Sequence, residues 1–143
     1  MNRDYLVEQL KLIQEYVTRA RAISGHSREE FLQNYLLGDA AVRELSVLFE
    51  TSHNIAKHLI AESGWRGASS KAEAFEILAE HDVLQRDVCD ALRQASRFRN
   101  LVTYQTAIVS NEVVYDILKD RLGDFARFAV SIARWLERNP TKS

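Results

Sequence analysis

The chain has 143 residues, 46% hydrophobic and 27% charged, the balance of one soluble globular domain. Nineteen Lys and Arg against 20 Asp and Glu leave a net charge of −1, which excludes a uniformly basic nucleic-acid coat; an RNA contact would need a local patch. The single Cys, Cys89, excludes an internal disulfide framework and a thiolate zinc cluster.

One Pro and five Gly leave room for long helices, and the periodicity predicts a chain that is nearly all helical. Tyr5 and Leu6, then Leu10, Ile13 and Val17 at steps of four, three and four, form the stripe of an amphipathic helix, with Gly25 as its stop. Ser27-Arg28-Glu29-Glu30 has the spacing of a capping box and should open a short helix carrying Phe31 and Leu32. A longer helix is expected from Asp39, with Val42, Leu45, Phe49, Ser52, Ala56 and Leu59 on one face, broken by Gly64-Trp65-Arg66-Gly67. Ser70-Lys71-Ala72-Glu73 repeats the capping-box spacing before a short helix holding Phe75 and Leu78.

A further helix should run from about Leu84 through Val88, Leu92, Ala95 and Phe98. It leads into Val102–Val109, which is rich in β-formers and compatible with an extended conformation. Ser110 or Asn111 caps the last predicted helix, whose stripe is Val114, Ile117, Phe125, Phe128, Ile132 and Trp135. No apolar run reaches the ~20 residues of a membrane helix. The start, MNRDYLVEQL, carries no cleavable signal pattern, so no membrane contact and a cytoplasmic location are expected. The expected architecture is an all-α helical bundle of four to five main helices in one domain, residues 1–143.

Few residues suggest chemistry on their own. His53 and His58 lie five apart and do not converge on a metal as an i, i+4 pair would, so His26, His53, His58 and His81 read as surface or partner-facing residues. Glu50 sits beside the apolar stripe near Phe49, where a carboxylate is usually paired, and can orient a basic residue from later in the chain. Cys89 reads as a small core filler. Charge distribution says more. From Ala91 to Val109 there is no acid but Arg93, Arg97 and Arg99, giving +3, so the remainder carries −4. Arg93 and Arg97 are i, i+4 neighbours, and Tyr104 follows Arg99-Asn100. Guanidinium groups suit phosphate and an aromatic ring can stack on a base, whereas pairing with acids on neighbouring helices is the other reading of these arginines.

Longer runs carry a resemblance. Ala41-Val42-Arg43-Glu44-Leu45, Phe49-Glu50 and Ile55-Ala56-Lys57-His58-Leu59-Ile60-Ala61-Glu62 are followed by Ala74-Phe75 and Leu78-Ala79-Glu80. Phe98-Arg99-Asn100, Glu112-Val113-Val114-Tyr115-Asp116-Ile117-Leu118 and Leu122-Gly123-Asp124-Phe125 then complete the order. Together, from Leu6 through Leu136, they resemble the HepT-like branch of the HEPN superfamily, the toxins of HEPN/MNT toxin–antitoxin systems. The family motif is Arg, a polar residue (usually Asn), three further residues, His, any residue, then Tyr. The resemblance implies a HEPN-type bundle acting as a homodimer and a metal-independent endoribonuclease without cofactor. In that activity the His helps the ribose 2′-hydroxyl attack the adjacent phosphate and the Arg stabilises the developing charge. It also implies a nucleotidyltransferase-fold antitoxin of MNT type that can adenylylate a motif tyrosine.

Carried over without gaps, the motif Arg is Arg99 and the polar residue is Asn100. Tyr104 then occupies the His position and Thr106 the Tyr position. A register starting at Arg97 puts Tyr104 on the motif tyrosine but Val102 where His belongs. Neither register supplies a histidine, and a phenol, ordinarily titrating near 10, is a poor base at neutral pH. The resemblance therefore implies Arg99, Asn100 and Tyr104 as catalytic positions and Arg93, Arg97 and Arg99 as RNA contacts. It also implies Glu50 as the support of Arg99 and Tyr104 as the candidate for adenylylation. The alternative is an inactive or mutated HEPN homodimer that binds RNA or a partner protein without cutting.

Overall fold

Polar side chains start the helices where the sequence offers them. The structure, a computed structural model, describes residues 2–104 and 111–140, with side chains described for 2–99 and 111–140. Asn2 accepts the Tyr5 N–H and opens α1 (Arg3–Ser24), with Gly25 as its C-cap. At Ser27 the full capping box forms: Ser27 Oγ accepts the Glu30 N–H and Glu30 Oε1 accepts the Ser27 N–H, both at 3.1 Å. Two otherwise orphaned donors are satisfied, and α2 (Arg28–Gln33) follows. Asn34 ends α2 and caps α3 (Tyr35–Ser63), which begins four residues before the expected Asp39. An Asn side chain accepting the Leu36 N–H starts the helix as well as an acid would. Gly64, with φ +69°, closes α3 in the left-handed conformation that favours glycine.

Ser70 caps α4 (Lys71–Glu80) by accepting the Glu73 N–H, but the reciprocal half of the box shifts by one residue. Glu73 Oε1 accepts from the Ser69 N–H instead, at 2.9 Å. Helix α5 spans Arg86–Tyr104. Residues 102–104, compatible with extended backbone by composition, are thus the end of a helix, because an amphipathic face already packed below them continues the helical ladder. The rest of that stretch, 105–109, lies outside the described residues, as does the candidate cap Ser110.

The last predicted helix is two: α6 (Asn111–Asp120) and α7 (Leu122–Arg138). The break is a tight turn at Arg121, whose carbonyl accepts the Asp124 N–H at 3.1 Å. The buried Asp124 carboxylate accepts from Arg127 Nη2 at 2.6 Å. The apolar stripe runs straight through: Val114, Ile117, Phe125, Phe128, Ile132 and Trp135 are all buried. Among the described residues there are seven helices and no strand.

Long α3 is the axis and touches every other helix; α1 also packs on α7, α4 pairs with α5, and α5 meets α7. Phe31, Leu45, Leu48, Ile55, Leu59, Phe125 and Phe128 are 0–1% exposed. Phe49 meets Phe125 at 5.5 Å between ring centroids and Phe75 meets Phe128 at 5.7 Å, edge to face. These contacts fix how α3, α4 and α7 meet. They thereby fix where the polar residues beside Phe49 point.

Candidate functional site

Glu50 follows Phe49 on α3 and turns out of the core toward the junction of α3, α4 and α5. There Glu50 Oε1 accepts from Arg99 Nη2 of α5 and, at 3.4 Å, from Lys71 Nζ, the first residue of α4. Three helices are joined at one carboxylate. Arg99 is 13% exposed at its side chain, so its charge sits mostly inside the protein and is compensated there. Burial pushes the Glu50 carboxyl up, but the hydrogen bond and charge of Arg99, with Lys71, outweigh it and hold the group below its ordinary value.

Helical phase separates the arginines of α5. Positions 93, 97, 100 and 104, at steps of four, three and four, line up along one face, and position 99 lies about a third of a turn away from that face. Arg93 is tied down: Nη1 donates to Glu76 Oε2 of α4 at 3.1 Å. Arg86 donates to the same carboxylate at 2.6 and 2.8 Å. With Arg86 and then Cys89 and Arg93 on it, Glu76 is held at a pKa of about 2. Arg97 is exposed, and the side chains of Asn100 and Tyr104 lie outside the described residues. The three arginines thus occupy three environments. Arg93 is in a clamp between α4 and α5, Arg97 faces solvent and Arg99 is anchored at the three-helix junction.

A narrow crevice beside Arg99 is lined by Phe49, His53, Lys71, Phe75, Ser96 and Phe125, among others. It neighbours an open groove of about 480 Å³ bordered by His53, Lys57, Trp65, Ser69, Ser70 and Lys71. The sequence reads His53 as a surface or partner-facing residue. It is instead half-buried and belongs to both concavities. Burial first, then Lys71, Lys57 and Arg99 against the opposing pull of Glu50, move its pKa below the ordinary 6.5. In the sequence Lys71 stands only inside a capping signature. The available signal was the spacing of Glu50, His53 and Lys57, i, i+3 and i+7 on α3, which puts carboxylate, imidazole and ammonium on one face.

Cys89 is buried, and burial pushes its thiol up to about 11, the state of a packed rather than a reactive cysteine. Among the described residues no three His, Cys, Asp or Glu side chains gather as a metal site, and no helix is long and apolar enough to cross a membrane.

The family profile described as "Ribonuclease HepT-like" matches residues 10–132. The chain belongs to the HepT-like ribonuclease family. No curated protein matches it significantly. Among solved structures, it is similar to a tri-AMPylated HEPN toxin of Shewanella oneidensis in complex with MNT antitoxin. That match has TM-score 0.85 at 22% identity and covers 94% of this chain and 99% of that one. A toxin–antitoxin with AMP-PNP is similar at TM-score 0.83 and 22% identity, over 92% and 99% of the two chains. The cytosolic protein YutE of Bacillus subtilis, of unknown function, matches at TM-score 0.85 and 17% identity over 100% and 96%. The HepT-like helical fold is therefore common to all of them.

Proposed function

We propose that this protein is the toxin of a HEPN/MNT toxin–antitoxin pair, a metal-independent endoribonuclease that acts on RNA as a homodimer. Supporting this reading most directly is the Glu50–Arg99 pair: the motif arginine is fixed at a junction of three helices with Lys71 alongside. A guanidinium held so that it need not reorganise is what a developing phosphorane charge requires. Arg99 carries a planar guanidinium whose N–H groups match the geometry of phosphate oxygens. Arg97 adds positive field from the solvent side and Arg93 adds it while paired with Glu76. Asn100 positions the motif or the substrate. The partner is an MNT-type nucleotidyltransferase antitoxin, which adenylylates Tyr104; the added phosphate puts negative charge in the basic patch and repels RNA.

The test is RNA cleavage in EDTA by the unaltered protein, Arg99→Ala and Tyr104→His. Cutting by the unaltered protein is expected, with a loss of about 10²–10³-fold in Arg99→Ala. Cutting by Tyr104→His alone identifies a nuclease scaffold disarmed at one position. Silence from all three moves the reading to the non-catalytic homodimer that binds RNA or a partner protein.

A further inference from the structure

The motif offers no histidine, but the fold brings one to the motif arginine. His26 lies 3.7 Å from Glu30 at the start of α2. His58 packs on the Tyr5 ring at 4.6 Å and lies 3.7 Å from Glu62. His81 stacks on Trp65 with centroids 3.9 Å apart. His53 remains. It reaches from the middle of α3 into the crevice beside Arg99 and also borders the groove that carries Lys57 and Lys71.

We propose that His53 is the proton acceptor for the attacking 2′-hydroxyl of RNA, with the phosphodiester seated between Arg99 and the Lys57–Lys71 groove. This rests on the ribonuclease reading above. Three cations surround the position, as a polyanionic backbone requires: Lys57 of α3, Lys71 of α4 and Arg99 of α5. The facing acid is Glu50, which is already engaged by Arg99 and Lys71. Partial burial first, then the cations, keep the imidazole below its ordinary value of 6.5 against the pull of Glu50, so at pH 7 it is largely neutral and can accept a proton. A phenol, ordinarily titrating near 10, has to lose its own proton before it can accept one.

The step balances without a co-reactant other than water. His53 takes the 2′-hydroxyl proton as the 2′-oxygen bonds to phosphorus, and the P–O5′ bond breaks. Water protonates the leaving 5′-oxygen, and the imidazolium returns its proton to solvent. The products are a 2′,3′-cyclic phosphate and a 5′-hydroxyl. Arg99 donates to the phosphate oxygens whose charge grows during attack.

The experiment uses a mixed-sequence single-stranded RNA in EDTA. Its arms are the unaltered protein, His53→Gln, His53→Ala with and without added imidazole, and Tyr104→Phe. Binding is read by anisotropy and folding by Tm. The expected result is a loss of about 10²–10⁴-fold in cleavage by His53→Gln, with RNA affinity and Tm nearly unchanged. Imidazole should partly restore His53→Ala. The acid limb of the unaltered rate profile should fall below pH 6.5 and vanish in His53→Gln. Cleavage by His53→Gln within about twofold of the unaltered protein overturns the assignment and leaves the ribonuclease reading standing. So does loss in Tyr104→Phe without loss in His53→Gln. An unaltered protein that cuts nothing overturns both.

Discussion

Glu50 and Arg99 illustrate how one pair converts sequence distance into site geometry. Forty-nine residues apart, they meet because Phe49 and Phe125 seat α3 against the end of the chain and α5 packs alongside. Replacing Glu50 with Gln leaves Arg99 mostly buried with a weaker acceptor and frees it to shift. Misplacement of about an ångström at such a group lowers cleavage by about 10–100-fold, while binding of RNA, which draws on several cations, changes less. The ratio of kcat to KM effects in Glu50→Gln checks this. The pair also has a pH signature. Glu50 titrates below its ordinary value when folded, so its contribution to stability is complete above the usual carboxylate range and fades as pH falls through the folded value. Tm measured against pH should show that acid-side loss in the unaltered protein and a smaller one in Glu50→Gln.

At the scale of elements, much was legible because local rules act alone. The Ser27 capping box and the Gly25 and Gly64 stops need no tertiary information, and each lies where the sequence places it. The break at Arg121 was not legible. The apolar stripe from Val114 to Trp135 is continuous, and the turn at Arg121 has no side-chain cap to mark it in the sequence. The start of α3 was missed for a related reason, since Asn34 serves as the end of one helix and the cap of the next. The prediction at this scale concerns Gly64. At φ +69° an added Cβ meets no neighbour, so the cost is purely conformational. Gly64→Ala should destabilise by about 1–2 kcal/mol in chemical denaturation, with the m-value unchanged.

For the whole molecule, the family was legible because the order of many short runs survives along the chain; the arrangement of the site was not. Arg93, Arg97 and Arg99 read as one basic patch in sequence, and the fold distributes them over a clamp, a solvent face and a three-helix junction. His53 and Lys71 carried no mark in the linear motif, because their relation to Arg99 exists only once α3, α4 and α5 are packed. A net charge of −1 on the whole chain therefore coexists with a local cluster of cations. The proposal is that this cluster promotes attack by the ribose 2′-hydroxyl without metal. Its most direct test is the chemistry of the cut ends. RNA incubated with the protein in EDTA should yield fragments ending in 2′,3′-cyclic phosphate, and a 2′-deoxy substitution at the cleaved position should abolish the cut. Fragments with 3′-hydroxyl ends, or cleavage that survives the 2′-deoxy substitution, would contradict it.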